Sequence, residues 1–181
     1  MSKILFGGSR SVSRVGAQVQ AEVNKILTRG HEVIIGDANG ADLALQTLLA
    51  DRGYGNVTVY CSGDVCRNNL GNWKITAVPT GRKRLDFDHY AQKDARMADQ
   101  ADYGLFIWNG KSRGTLNTIR MLLERGRPAR VYLSPRQRFV TLKTERDLEG
   151  IMAQSQIGGK QLSGKHRLRS TSPPPQPLLL E

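Results

Sequence analysis

Short apolar runs that close on glycine alternate with apolar stripes at helical spacing over most of the chain. The run "KILFGGSRS" is apolar and ends in glycines, the pattern of a buried strand entering a tight turn. Val15, Val19, Val23, Ile26 and Leu27 then share one helical face, and Gly30 closes that helix. "HEVIIGDANGAD" repeats the strand and glycine turn. Ala41, Ala44, Leu45, Leu48 and Leu49 form the stripe of a second helix, stopped at Gly53. "NVTVYC" reads as a third strand. Phe87, Tyr90, Ala91, Asp94, Ala95 and Ala98 mark the next helix, "YGLFIW" a fourth strand, "GTLNTIRMLLERG" a helix and "ARVYLS" a fifth strand. Thr144 and Asp147 suit a capping pair for a last helix carrying Leu148, Ile151 and Met152. Strands alternating with helices predict an α/β fold: a Rossmann-like, doubly wound, mainly parallel sheet of about five or more strands, with helices on both faces.

Two segments break the pattern. Residues 62–86 are polar and glycine-bearing, with a basic cluster at Arg82, Lys83 and Arg84, and read as an irregular flap or insertion that Trp73 anchors. From Ile157 onward glycines, basic residues and a proline run replace anything that could be buried. The expected organisation is therefore one domain over 1–157 and a basic, Pro-rich, disordered tail over 158–181.

Composition narrows the partners. Lys and Arg outnumber Asp and Glu 27 to 16, a formal charge of +11 that favours anionic partners without choosing among them. Cys61 and Cys66 have no second Cys or His pair beside them, too few ligands for zinc, so their expected role is structural or incidental. Neither the short apolar run after Lys3 nor the tract at 178–180 suits a signal peptide or a membrane span. The expectation is a cytoplasmic protein with no metal, no cofactor and no membrane partner.

In sheets of this kind ligands bind beyond the carboxyl ends of the strands, and three glycine turns fall there. In "GGSRS", Gly8 lets a ligand approach the backbone, Ser9 can donate a hydrogen bond and Arg10 can hold a phosphate; a plain turn with a solvated arginine is the alternative. In "GDANGAD", Gly36, Gly40 and Ala41 relieve crowding, while Asp37 and Asp42 can accept from ribose hydroxyls or a base; Asp42 could equally serve only the positive end of its helix. The third turn, "NGKSRGT", contains a Gly-Lys-Ser, but five residues separate Gly104 from Gly110 where a P-loop needs four, and those five look like buried strand. What survives is a strand-to-helix loop in which Asn109, Lys111, Ser112, Arg113, Gly114 and Thr115 can bind phosphate. Trp108 reads as core or pocket wall, and His31 and His89 as structural or solvated.

Over roughly residues 1 to 135, "GGSRS", "IIGDANGAD", "KDARMADQAD" and "FIWNGKSRGT", in this order and spacing, resemble the SLOG superfamily of Rossmann-like nucleotide-binding proteins. That superfamily includes DprA and the lonely-guy phosphoribohydrolases. "KDARMADQADYGLFIWNGKSRGTLNTI" is also similar to the nucleoside 2-deoxyribosyltransferases. The resemblance implies a small stand-alone member with a pocket for a nucleotide-like ligand, and a homodimer or higher homo-oligomer. Asp94 matches an aspartate of the transferase pattern. The relatives that cleave glycosidic bonds carry a glutamate three residues after the Thr of the Gly-Thr pair, where this chain has Thr118.

Three functions remain open at this level. The first is binding without turnover of a nucleotide-derived ligand, such as an ADP-ribose-type or cyclic nucleotide signal, by a sensor or sequestering protein. The second is an N-glycosidase or phosphoribohydrolase in which Asp94 or Asp99 replaces the glutamate. The third is nucleic-acid binding, with the basic tail adding weak non-specific contact.

Overall fold

The computed structural model describes residues 1–63, 65–79 and 87–162. Strand β1 (Lys3–Gly8) is followed by helix α1 (Ala17–Thr28), β2 (Glu32–Gly36) and α2 (Ala41–Asp51). Then come β3 (Val57–Ser62), β4 (Lys74–Val78), α3 (Phe87–Gln100), β5 (Tyr103–Trp108) and α4 (Arg113–Glu124). The chain closes with β6 (Ala129–Leu133), a 3-10 turn (Ser134–Arg136), β7 (Arg138–Leu142) and α5 (Glu145–Leu162).

The seven strands lie in one sheet in the order β4-β3-β2-β1-β5-β6-β7. All neighbours are parallel except β6 and β7. This is the expected architecture, with helices on both faces. Alternating side chains of each strand divide the core. Ile4, Phe6, Val33, Ile35 and Val59 pack under α1 and α2 through Val19, Val23, Leu45 and Leu49. Leu5, Ile34, Phe106 and Trp108 pack under α3, α4 and α5 through Met97, Ile119, Leu122 and Leu148. Burial on both faces explains why these strands read as continuous apolar runs.

Three elements depart from the sequence expectation. Segment 62–86 is not irregular throughout: Lys74–Val78 forms the edge strand β4, parallel to β3. Ile75 of that strand is 51% exposed, so it carries no buried alternation to read. Strand β7 pairs antiparallel with β6 after the 3-10 turn, where Gln137 takes a left-handed conformation. Helix α5 continues through Leu162, so the boundary expected at 157 falls inside a helix. Its start is the capping pair read from sequence. Asp147 Oδ2 accepts from the Lys143 and Thr144 amides, and the Asp147 amide donates to Thr144 Oγ1. The basic cluster at 82–84, the His89 side chain and the tail from residue 163 lie outside the described residues. Among the described residues no helix is long and apolar enough to cross a membrane, and no three His, Cys, Asp or Glu side chains are placed to hold a metal ion.

Candidate functional site

Strand β1 has β2 on one side and β5 on the other, so the strand order reverses between β1 and β5. The chain leaves these strands in opposite directions, and a crevice opens at their carboxyl ends. Three loops meet there and are bolted together by buried polar groups. Ser9 is fully buried: its amide donates to the Ile107 carbonyl (2.9 Å), and its hydroxyl accepts from the Asn109 amide (3.0 Å). The Ser9 carbonyl accepts from both Val12 and Ala41, joining the first loop to α2. A Cβ on Gly8 would collide with the Ile107 carbonyl and the Ala41 side chain. One on Gly40 (φ +85°) would run into the Arg10 backbone. Glycine at these two positions is what lets the loops close on each other.

The third loop is shaped from within. Asn109 Oδ1 accepts from the Lys111 (2.9 Å) and Ser112 (2.8 Å) amides, and Asn109 Nδ2 donates to Ser11 Oγ (2.9 Å). Ser112 caps α4, its hydroxyl accepting from Thr115 N and Thr115 Oγ1, while Leu116 N closes on the Ser112 carbonyl. The Arg113 and Gly114 amides have no acceptor among the described residues, as expected for the first turn of a helix. A Cβ on Gly114 would meet nothing within 4 Å. No packing demand explains that glycine.

The loops enclose a cleft of about 500 Å³. Of the residues singled out from sequence, Gly8, Arg10, Asp42, Asp94, Asn109, Ser112, Gly114 and Thr115 line it together. The other seven do not. Ser9, Gly36, Asp37 and Ala41 are buried behind the wall, Gly40 packs on the Arg10 backbone, and Lys111 and Arg113 are exposed outside the lining. The Ser9 amide and hydroxyl oxygen are engaged between β1 and β5. The sequence reading missed Lys93 and Arg67, which line the cleft, and the apolar wall of Leu5, Met97 and Phe106. It also missed Gln46, fully buried, whose Nε2 donates to the Gly36 and Asn68 carbonyls and whose Oε1 accepts from Leu70 N.

Three carboxyl groups, Asp37, Asp42 and Asp94, and the cations around them govern the electrostatics. Asp37 was expected to meet the ligand, but Lys93 Nζ (3.0 Å) and the Arg67 guanidinium (2.8 and 3.1 Å) occupy it. Burial alone would raise this carboxyl; Arg67 and Lys93 outweigh that and hold it well below the usual range. Asp42 is pushed up to about 6 by burial, with Lys93 opposing and Asp94 reinforcing the rise. Gly36 makes room here, since a Cβ on it would collide with Asp42 and Lys93. Asp94 is raised by burial too, against Lys93, the Thr118 hydroxyl and Arg10. The Thr118 hydroxyl lies 3.1 Å from Asp94 Oδ2 and 3.0 Å from the Gly114 carbonyl. Thr118 Oγ1 can donate to only one of these two acceptors at a time. Asp99 is excluded from the site: it is exposed and paired with Arg125 (2.7 Å). A signal for Lys93 lay in the sequence, four residues before the buried Met97 on the same helical face.

No family model matches the chain and no curated protein is significantly similar to it. Two solved structures share its architecture. DNA processing protein A from Helicobacter pylori, which binds single-stranded DNA, superposes with a TM-score of 0.54 at 12% identity, covering 72% of this chain and 64% of that one. DNA processing protein A from Streptococcus pneumoniae superposes with a TM-score of 0.56 at 19% identity, covering 72% of this chain and 50% of that one. The fold resembles that of DNA processing protein A. The chain spans less than two thirds of either protein's length, and at these identities the likeness concerns the fold.

Proposed function

We propose that this chain binds a nucleotide-like small molecule in the cleft between β1 and β5, as a sensor or sequestering protein, and leaves it intact. The observation that carries this reading is the polarity of one cavity. Arg10, the first turn of α4 with the space left by Gly114, and the carboxyl groups of Asp42 and Asp94 line it together. Unpaired first-turn amides and a guanidinium suit a phosphate. Buried carboxyl groups accept from ribose hydroxyls or a base amino group, and Leu5, Met97 and Phe106 offer apolar contact to a ring. The volume falls in the range of small-molecule sites. Turnover is disfavoured by Thr118, whose hydroxyl stands where the glycosidic-bond-cleaving relatives carry a carboxylate. Burial raises the Asp94 carboxyl, which disfavours the charged form a nucleophile needs.

Isothermal titration with nucleoside mono-, di- and cyclic phosphates and ADP-ribose tests the proposal. At least one should bind with micromolar or tighter affinity and be recovered unchanged by mass spectrometry. Binding to none removes the reading, and release of free base replaces it with the glycosidase.

A second reading, single-stranded nucleic acid at the same end of the sheet, is favoured by the exposed Arg10, Lys111 and Arg113 around the opening and by the DNA-binding neighbour. Fluorescence anisotropy with labelled oligonucleotides, using a chain ending at Leu162, separates domain binding from the tail. A steep salt dependence retained without the tail supports it.

A further inference from the structure

The only two cysteines of the chain, Cys61 in β3 and Cys66 in the connection to β4, are joined in a disulfide with a Cα separation of 5.1 Å. Cys61 lies near the end of β3, paired with Ala77 of β4 and 1% exposed; Cys66 is half-buried on the loop. Among the described residues, the contacts that seat this loop on the site begin just after Cys66. Arg67 N and its guanidinium reach Asp37, Asn68 Nδ2 donates to the Asp37 carbonyl (2.8 Å) and Asn39 Oδ1 (3.0 Å), and Leu70 N donates to Gln46 (3.1 Å). At the far end Trp73 is buried: its indole donates to the Tyr54 carbonyl and its amide to Asn69 Oδ1. Beside Cys66, Val65 stands 80% exposed.

We propose that Cys61 and Cys66 are a thiol–disulfide site whose state sets how firmly Arg67 is held at the cleft. The reactants are a small thiol, such as glutathione, and its disulfide. The thiolate attacks Sγ of Cys66, the less buried of the two cysteines, and breaks the protein S–S bond. Cys61 departs as a thiolate and takes up a proton. A second thiol then attacks the external sulfur of the mixed disulfide and releases Cys66 as a thiol. Two protein thiols and one external disulfide result, with two electrons transferred, and excess external disulfide reverses the exchange. With the bond closed, the chain reaches Arg67 on a short tether. With it open, the same contacts must order a longer free segment, and they weaken by that entropy. Calling Arg67 part of a ligand site rests on the nucleotide reading; its placement does not.

Hydrogen exchange of the full-length chain, without ligand, in reduced and oxidised glutathione buffers is the test, with alkylation and mass spectrometry counting thiols. Reduction should expose two alkylatable thiols in the folded protein and speed exchange at the Arg67 and Leu70 amides at least about tenfold, leaving the Ser9 amide, held by the Ile107 carbonyl, unchanged. Cys66→Ser should show the fast rate in both buffers. Equal exchange in the two states, or a pair that reacts only after denaturation, overturns the proposal. Because no ligand enters the measurement, failure of ADP-ribose to bind would count against the nucleotide reading alone.

Discussion

Replacing Asp42 by Asn should stabilise the protein, by an amount set by pH. Asp42 is buried at the start of α2, and its carboxyl is moved from 3.8 to about 6. Below 3.8 the folded and unfolded chains both hold the proton, and the site imposes no penalty. Between 3.8 and about 6 the unfolded chain ionises while the folded one resists, so stability falls as pH rises. Above 6 the full penalty of about 3 kcal/mol persists. Asparagine avoids it while keeping an oxygen to accept from the Ala38 amide, which now donates to Asp42 Oδ2 at 3.3 Å. The gain from Asp42→Asn should therefore be about 1 kcal/mol at pH 4.5 and about 3 kcal/mol at pH 8. For a domain of this size that corresponds to roughly 6 to 12 °C in Tm at pH 8. Urea denaturation of both proteins at several pH values, followed by circular dichroism, measures the difference directly. A variant less stable than wild type at pH 8, or a gain that does not change with pH, would refute the reasoning.

Lys93→Met removes the ammonium from Asp37 and from the two raised carboxyls, and should cost about 3–5 kcal/mol; adding Asp37→Asn should recover part of it in the same urea titration. Gly114→Ala fills open space at the head of α4. It should leave Tm unchanged or raise stability by up to about 1 kcal/mol, while weakening nucleotide binding about tenfold in calorimetry; unchanged affinity would separate that wall from the ligand. Ser112→Ala deletes the α4 cap and should lower stability by about 0.5–2 kcal/mol, read as a drop in Tm.

What could be read from sequence was what is buried by apolar groups. "KILFGG", "EVIIG" and "YGLFIW" are interior parallel strands and declare themselves as unbroken runs. Strand β4 hides because its neighbour lies on one side only and Ile75 faces water. The cleft was half legible. Glycine turns at strand ends located the crevice, because topology alone dictates it. Which polar side chain faces the opening depends on pairings across the fold. Asp37 and Asp42 look alike on the page of letters, yet one is claimed by Lys93 from 56 residues away and the other is left open to the cleft. A lysine on a helix reads as solvated until the carboxylate that justifies its burial is in place.

The Ser9 junction carries a kinetic consequence. Because its amide, hydroxyl and carbonyl already fasten the first loop to β5 and α2, an arriving molecule meets a frame assembled beforehand. Little of the encounter is spent waiting for loops to order, so association should be fast and vary little among related ligands. Discrimination between them would then rest on residence time, governed by the side chains that surround the frame.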